Sequence, residues 1–263
     1  MPEIQTDLVR TDLAGKVALV TGSGSGIGAA VAESFGRHGA RVGIHYHRSD
    51  KQAVSDLVER IRLAGGDAFS LQADFNSSQA VVDTINQVVA HFGRLDILVN
   101  NAGSMVARRR LDELDDDFID QVFDLNARSV ATACRAALPV FTQQKSGCII
   151  NVSSISARTG GSVGSSIYSA SKAFVSTLTR SLARELADRH IRVNAISPGT
   201  IDTAFHEQFS SREKLEMTQA GIPMQRLGDA EDCAGAALYL ACDSLSSYVT
   251  GQVIEINGGQ LMA

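Results

Sequence analysis

Seven short apolar runs recur along the chain, and patterns of helical spacing lie between them. The runs are Val17–Val20, Val42–Ile44, Ala68–Leu71, Ile97–Val99, Cys148–Val152, Ile191–Ile196 and Val253–Ile256. Val54, Leu57, Val58 and Ile61 form one intervening helical stripe; Val81, Ile85, Val88, Val89 and Phe92 form another. Strands regularly separated by helices imply right-handed βαβ units. The expectation is an α/β fold, a doubly wound, seven-stranded parallel sheet with helices on both faces. Such sheets bind ligands beyond the carboxyl ends of their strands, so chemistry is to be sought just after each run.

At 263 residues the chain suits one α/β domain, and with only 4 Pro no proline-rich linker divides it. Residues 1–14 read as a tail. The stretch 200–224 fits poorly between strands and mixes Phe205, Phe209, Leu215 and Met217 with charges, so a helical flap over the substrate is expected. Basic residues number 24 against 29 acidic ones, for a net charge of −5. That balance argues against a nucleic-acid or anionic-membrane partner. No run approaches a membrane span, and Met1–Asp12 lacks the apolar stretch of a signal peptide. Cys134, Cys148, Cys233 and Cys242 form no C-x-x-C pair and have no zinc-like spacing to histidine, so free thiols and no metal are expected. Together these features place the protein in the cytoplasm.

The first run leads directly into Thr21-Gly22-Ser23-Gly24-Ser25-Gly26-Ile27-Gly28, and a helical pattern follows at once. Glycines let backbone approach a pyrophosphate, and the helix start offers free N–H groups and a positive dipole end. Gly22, Gly26 and Gly28 fit T-G-x-x-x-G-x-G rather than the plain G-x-G-x-x-G, and the order strand, loop, helix makes this a Rossmann-type dinucleotide site. A carboxylate ending the second strand would select NAD. Here the end reads His45-Tyr46-His47-Arg48-Ser49-Asp50, and Arg48 suits the 2′-phosphate of NADP. Asp50 reads as a helix-start residue.

From this point the chain resembles the short-chain dehydrogenase/reductase family over almost its whole length. Asp74 matches the family position beside adenine. Asn100-Asn101-Ala102-Gly103 matches the N-N-A-G turn. Asn126 matches a helix asparagine that supports a proton relay. Tyr168 and Lys172 match Y-x-x-x-K, and Pro198, Gly199, Ile201 and Thr203 lie in a P-G-x-x-x-T segment that wraps the nicotinamide. Ser154 follows the fifth strand where the family places its catalytic serine, with Ser153 and Ser156 as alternatives. The interval of 14 positions from Ser154 to Tyr168 is about one longer than the commoner spacing, which enlarges the loop Thr159–Gly164.

The resemblance implies catalysis by Asn126, Ser154, Tyr168 and Lys172. It implies NADP(H) held by Gly22, Ser23, Ser25, Gly26, Ile27, Gly28, Arg48, Asp74, Asn101, Ala102, Gly103, Tyr168, Lys172, Pro198, Gly199, Ile201 and Thr203. Lys172 lies one helical turn beyond Tyr168, and its charge, with that of the oxidised nicotinamide, would favour phenolate. Tyr168 is then a general acid in reduction and a base in oxidation. The implied substrate is a small carbonyl or alcohol, most like a 3-oxoacyl thioester, which a carrier protein could deliver. A sugar, polyol or steroid dehydrogenase is the alternative, and a non-catalytic NADP sensor a remoter one. Arg108–Arg110 are either a solvated face or a contact for an acidic substrate or carrier. His45 and His47 flank the cofactor site and His206 lies in the flap. A homotetramer is expected from the family.

Overall fold

The computed structural model describes residues 13–262, apart from the side chains of 206 and 207. Most of the 1–14 tail and the side chain of His206 therefore lie outside the described residues. Seven strands form one sheet: β1 (Val17–Val20), β2 (Arg41–Tyr46), β3 (Asp67–Gln72), β4 (Ile97–Asn100), β5 (Gly147–Val152), β6 (Ile191–Pro198) and β7 (Val253–Ile256). Their order is β3-β2-β1-β4-β5-β6-β7. Every neighbouring pair is parallel, with Val20 level with Ile44 on one side and Val99 on the other. The seven strands expected from sequence are these seven: β1 and β7 have the expected bounds, and the other five are longer by one to three residues.

The helices are α1 (Gly26–Arg37), α2 (Lys51–Leu63), α3 (Ser78–Phe92), α4 (Asp116–Phe123), α5 (Ser129–Gln144), α6 (Ser156–Thr159), α7 (Ser166–Leu186), α8 (Ala204–Phe209), α9 (Arg212–Ala220), α10 (Ala230–Ala241) and α11 (Asp243–Ser246). They cover both faces of the sheet. On one face Phe35 of α1, Leu57 and Ile61 of α2 and Leu240 of α10 pack on Val42, Ile44 and Ile150. On the other, Ile85 and Val88 of α3, Phe141 of α5 and Val175 of α7 pack on Leu19, Leu98 and Ile149. Burial on both faces explains why the central strands are apolar at nearly every position rather than at alternate ones. Asp50 caps α2, accepting from the Ala53 N–H at 2.9 Å, as its place in the sequence suggested.

From sequence, the acids Asp112, Glu113, Asp115, Asp116 and Asp117 suit the N-terminus of one long helix reaching toward Phe141. The structure breaks that helix. A 3₁₀ turn (Leu111–Glu113) precedes α4, and a π-helical turn (Asp124–Arg128) joins α4 to α5. The cause sits within the turn: Asn126 donates its side-chain amide to the Val122 carbonyl at 2.8 Å, in competition with the backbone ladder. Stretch 200–224 holds two short helices, α8 and α9.

The sheet order reverses between β1 and β4. The chain leaves β1 toward one face and β4 toward the other, which opens a crevice at their carboxyl ends.

Candidate active site

The crevice is built around the loop after β1. Thr21 Oγ1 accepts from the N–H groups of Asn101 and Ala102, each at 2.9 Å. Asn101 returns its side-chain amide to the carbonyls of Thr21 at 2.9 Å and Gly22 at 3.0 Å. His45 fastens the same loop from β2. Its Nδ1 accepts from the Gly22 N–H at 3.0 Å, while Nε2 lies 3.1 Å from the Ala73 carbonyl, so the neutral Nε2–H tautomer satisfies both. Burial holds His45 down at about 4. Gly22 has φ +62°, and a Cβ there would stand 2.8 Å from Ala102 Cα. A Cβ on Gly28 would stand 2.4 Å from Asn101 Nδ2. These two glycines are therefore required by packing as well as by any ligand.

Helix α1 starts at Gly26, and Ser25 caps it with no side-chain hydrogen bond. The first N–H groups of a helix have no intrahelical partner, so they face the crevice as an anion cradle. Uncapped helix start, close-packed glycines and the absence of any carboxylate among the described wall residues together fit a dinucleotide pyrophosphate.

The cavity at this point measures about 470 Å³. Gly22, Ser25, Gly26, Ile27, Asn101 and Gly103 form one end of its wall, and Ser154, Tyr168 and Lys172 another. Pro198, Gly199, Ile201 and Thr203 close it beside β6. Ser154 receives a hydrogen bond from the Ser156 hydroxyl at 3.0 Å and another from the Ser156 N–H at 3.2 Å. Ser153 is spent elsewhere: its buried hydroxyl donates to the Lys172 carbonyl at 3.0 Å and lies 2.6 Å from Ser176 Oγ. Of the three serines, Ser154 is the one paired with Tyr168, and that bond pulls the phenol's pKa down.

Tyr168 is half-buried, and desolvation outweighs the Ser154 bond, leaving the phenol at about 12. Lys172 is buried, and burial brings it down to about 8. Its Nζ stands 5.8 Å from the Tyr168 ring centre and donates to the Val152 carbonyl at 2.8 Å. Within the protein alone, burial thus keeps Tyr168 protonated at neutral pH. Asn126 lies behind Lys172. A Cβ on Gly103 would meet Asn126 Oδ1 at 2.6 Å and Lys172 Nζ at 3.1 Å. Asn126 accepts from the Ser104 N–H at 3.0 Å and donates to the Ser104 carbonyl at 2.8 Å, which fixes the loop after β4.

Other expected residues stand off the cavity wall. Ser23 is buried, and its hydroxyl donates to the Val20 carbonyl at 2.7 Å. Arg48 is exposed at the end of β2, next to Ser49, whose Oγ lies within 2.3 Å of where a Gly24 Cβ would be. Asp74 accepts from the N–H and side-chain amide of Asn76, at 3.0 and 2.8 Å, and lies 3.8 Å from His47; these bonds and nearby Arg48 outweigh its modest desolvation and keep its pKa low.

Lys214 escaped sequence reasoning, and the run Arg108–Arg110, read as a solvated face or a substrate contact, did not show which of its members enters the cavity. Arg108, one of three consecutive arginines, turns inward: Nε donates to the Phe209 carbonyl at 2.7 Å and Nη1 to the Val163 carbonyl at 3.3 Å. Lys214 reaches the wall from α9. Arg109 turns outward to Asp115 at 2.5 Å. Nothing in the run Arg108–Arg110 distinguishes its members, because the choice depends on loops 50 and 100 residues away.

Comparison with known proteins places this geometry. A family model described as Enoyl-(Acyl carrier protein) reductase matches residues 22–260. The chain is 41% identical over 257 residues to 3beta-hydroxysteroid dehydrogenase 1 of Eggerthella lenta, covering 95% of each chain. It is 39% identical over 251 residues to the 3-oxoacyl-[acyl-carrier-protein] reductase FabG of Staphylococcus aureus, covering 94% of this chain and 98% of that one. A 7 alpha-hydroxysteroid dehydrogenase solved with NADH and 7-oxo glycochenodeoxycholic acid superposes with a TM-score of 0.89 at 31% identity, over 95% of this chain and 96% of that one. The chain belongs to the short-chain dehydrogenase/reductase family. It is an oxidoreductase that acts on carbonyl and CH–OH groups with a nicotinamide dinucleotide.

Proposed function

We propose that this short-chain dehydrogenase/reductase uses NADPH to reduce a 3-oxoacyl thioester to the 3-hydroxyacyl thioester. The observation that carries the reading is the Ser154–Tyr168 hydroxyl pair, set at the cavity wall with Lys172 behind it and the uncapped α1 start beside it. The similarity to 3-oxoacyl-[acyl-carrier-protein] reductases supports the substrate class.

The residues divide the work as follows. Gly22, Ser25, Gly26, Ile27 and Gly28 hold the pyrophosphate, with Ser23 and Asn101 shaping the loop. Asp74 borders the adenine, and Arg48 takes the 2′-phosphate. Ala102, Gly103, Pro198, Gly199, Ile201 and Thr203 border the nicotinamide half. When bound, NADPH supplies the hydride. Ser156 donates to Ser154 Oγ, which leaves the Ser154 proton free to meet the substrate oxygen as negative charge develops there. Tyr168, protonated at neutral pH, gives its proton to the same oxygen. Lys172 faces the departing proton with a positive charge, and Asn126 positions Lys172 and the Ser104 loop.

A second reading has its own support. The 41% identity to a 3beta-hydroxysteroid dehydrogenase keeps a sugar, polyol or steroid alcohol dehydrogenase as the alternative. A panel of 3-oxoacyl thioesters with NADPH, against sugars, polyols and hydroxysteroids with NADP, separates the two. Turnover of acetoacetyl thioesters supports the first reading; oxidation of an alcohol without any thioester reduction overturns it. A carrier protein delivering the thioester, a homotetramer and a cytoplasmic location complete the proposal, and they rest on the family resemblance. Among the described residues no helix is long and apolar enough to cross a membrane.

A further inference from the structure

Two cations stand in the cavity without anionic partners. Some of the chain's guanidinium groups pair with carboxylates: Arg94 with Asp96 at 2.6 Å, Arg109 with Asp115 at 2.5 Å and Arg226 with Asp232 at 2.7 Å. Arg108 and Lys214 make no ion pair among the described residues, although the chain carries a net charge of −5. Arg108 spends Nε and Nη1 on backbone carbonyls, and no carboxylate stands beside it on the described wall. Lys214 bonds through its backbone alone: its N–H donates to Ser211 Oγ at 3.3 Å and its carbonyl accepts from Thr218 at 2.8 Å. The two charges are close enough to repel each other, and both are partly desolvated. Two half-buried cations facing each other across a cavity are costly unless an anion joins them.

Their position assigns them to the substrate. Arg108 is clamped between Val163, in the loop before α7, and Phe209, at the end of α8. Phe209 packs on Phe205 at 5.0 Å between ring centres, and Phe205 lies 5.7 Å from the Tyr168 ring. The cations therefore lie beyond the aromatic rings that flank Tyr168, on the side bounded by Arg108's two loop anchors. Met105, Phe205 and Leu215 give the same cavity apolar lining.

We infer that the substrate carries an anionic group, a carboxylate or a phosphate, separated from the reacting carbonyl by an apolar stretch, and that Arg108 and Lys214 bind it together. This rests on the carbonyl-reductase reading and narrows it. The anion could end the acyl chain or could be the phosphate of a phosphopantetheine thiol arm.

The test compares four thioesters with NADPH: acetoacetyl-N-acetylcysteamine, 3-oxoadipyl-N-acetylcysteamine, the methyl ester of the latter, and acetoacetyl phosphopantetheine. The variants are Lys214→Met and Lys214→Arg; among the described residues the Lys214 side chain makes no hydrogen bond, so neither should disturb folding. A charge-assisted hydrogen bond of ordinary strength makes wild-type kcat/KM about 10-fold or more higher for an anionic thioester than for its neutral counterpart. A preference for 3-oxoadipyl over its methyl ester places the anion on the acyl chain; a preference for the phosphopantetheine thioester over the N-acetylcysteamine one places it on the thiol arm. Lys214→Met should abolish the preference, and Lys214→Arg should restore most of it. No preference in the wild type, or one that Lys214→Met leaves intact, overturns the inference. So does a loss of NADPH affinity in Lys214→Met, which would give the cations to the cofactor. If no thioester turns over, the function reading has failed and the cations are judged by calorimetry: adipate should bind the NADPH complex about 10-fold more weakly in Lys214→Met, and equal binding overturns the site.

Discussion

Lys172 donates from Nζ to the carbonyl oxygen of Val152 at 2.8 Å. The bond ties the helix that carries Tyr168 to the last residue of β5, two positions before Ser154, and so fixes both hydroxyl-bearing residues relative to one ammonium group. Burial brings that ammonium down to about 8, which places its titration within reach of an ordinary pH profile.

Lys172 should therefore appear in the rate of carbonyl reduction. The protonated amine is the form that supports the proton leaving Tyr168. The turnover number is expected to fall as pH rises through about 8. A profile flat to pH 10 would show that the charge on Lys172 is not used.

The proposed role of Arg48 is to select the cofactor. If its guanidinium meets the 2′-phosphate, the charge-assisted hydrogen bond contributes ~1.5–3 kcal/mol, or about 10- to 150-fold in affinity. Arg48→Ala should weaken NADPH by about that factor in a fluorescence titration and leave NADH unchanged. Wild-type protein that prefers NADH would refute the assignment.

His45 links the cofactor loop to acid stability. Its pKa is about 4 in the folded chain against an ordinary value of 6.5, because burial outweighs the Ala73 carbonyl and nearby Asp74, while His47 adds repulsion. The unfolded chain thus takes up the proton first. The stability present above pH 6.5 is lost progressively as pH falls toward 4, by up to ~3 kcal/mol. Denaturant titrations at pH 7 and pH 4.5 should show a smaller difference for His45→Asn than for the wild type. An identical difference in both would remove His45 from the acid limb.

Gly22 shows how packing and ligand demands coincide. With φ +62° and Ala102 Cα only 2.8 Å from the place of a Cβ, Gly22→Ala should cost ~1–3 kcal/mol of stability even without cofactor. An unchanged melting temperature would contradict this.

Much of this was legible from residues alone. Apolar runs such as Val17–Val20 and Ile97–Val99 named the buried strands, and the glycines after β1 named the crevice, because both signals are local. Asp50 announced its helix cap for the same reason. The break at Asn126 was hidden, since nothing in the run Asp124–Arg128 says that an amide will compete with the backbone ladder. Lys214, and which member of the run Arg108–Arg110 turns inward, were hidden more deeply. The inward orientation of Arg108 is set by Val163 and Phe209, by a flap and a loop that meet only in three dimensions.

The central claim is that Tyr168 delivers the proton. Tyr168→Phe keeps the ring against Phe205 and removes only the hydroxyl. The decisive measurement is the turnover number of this variant with NADPH and an acetoacetyl thioester, alongside its NADPH affinity. A fall of ~10²–10⁴-fold in turnover with affinity little changed is the predicted result. Near-normal turnover would contradict the account.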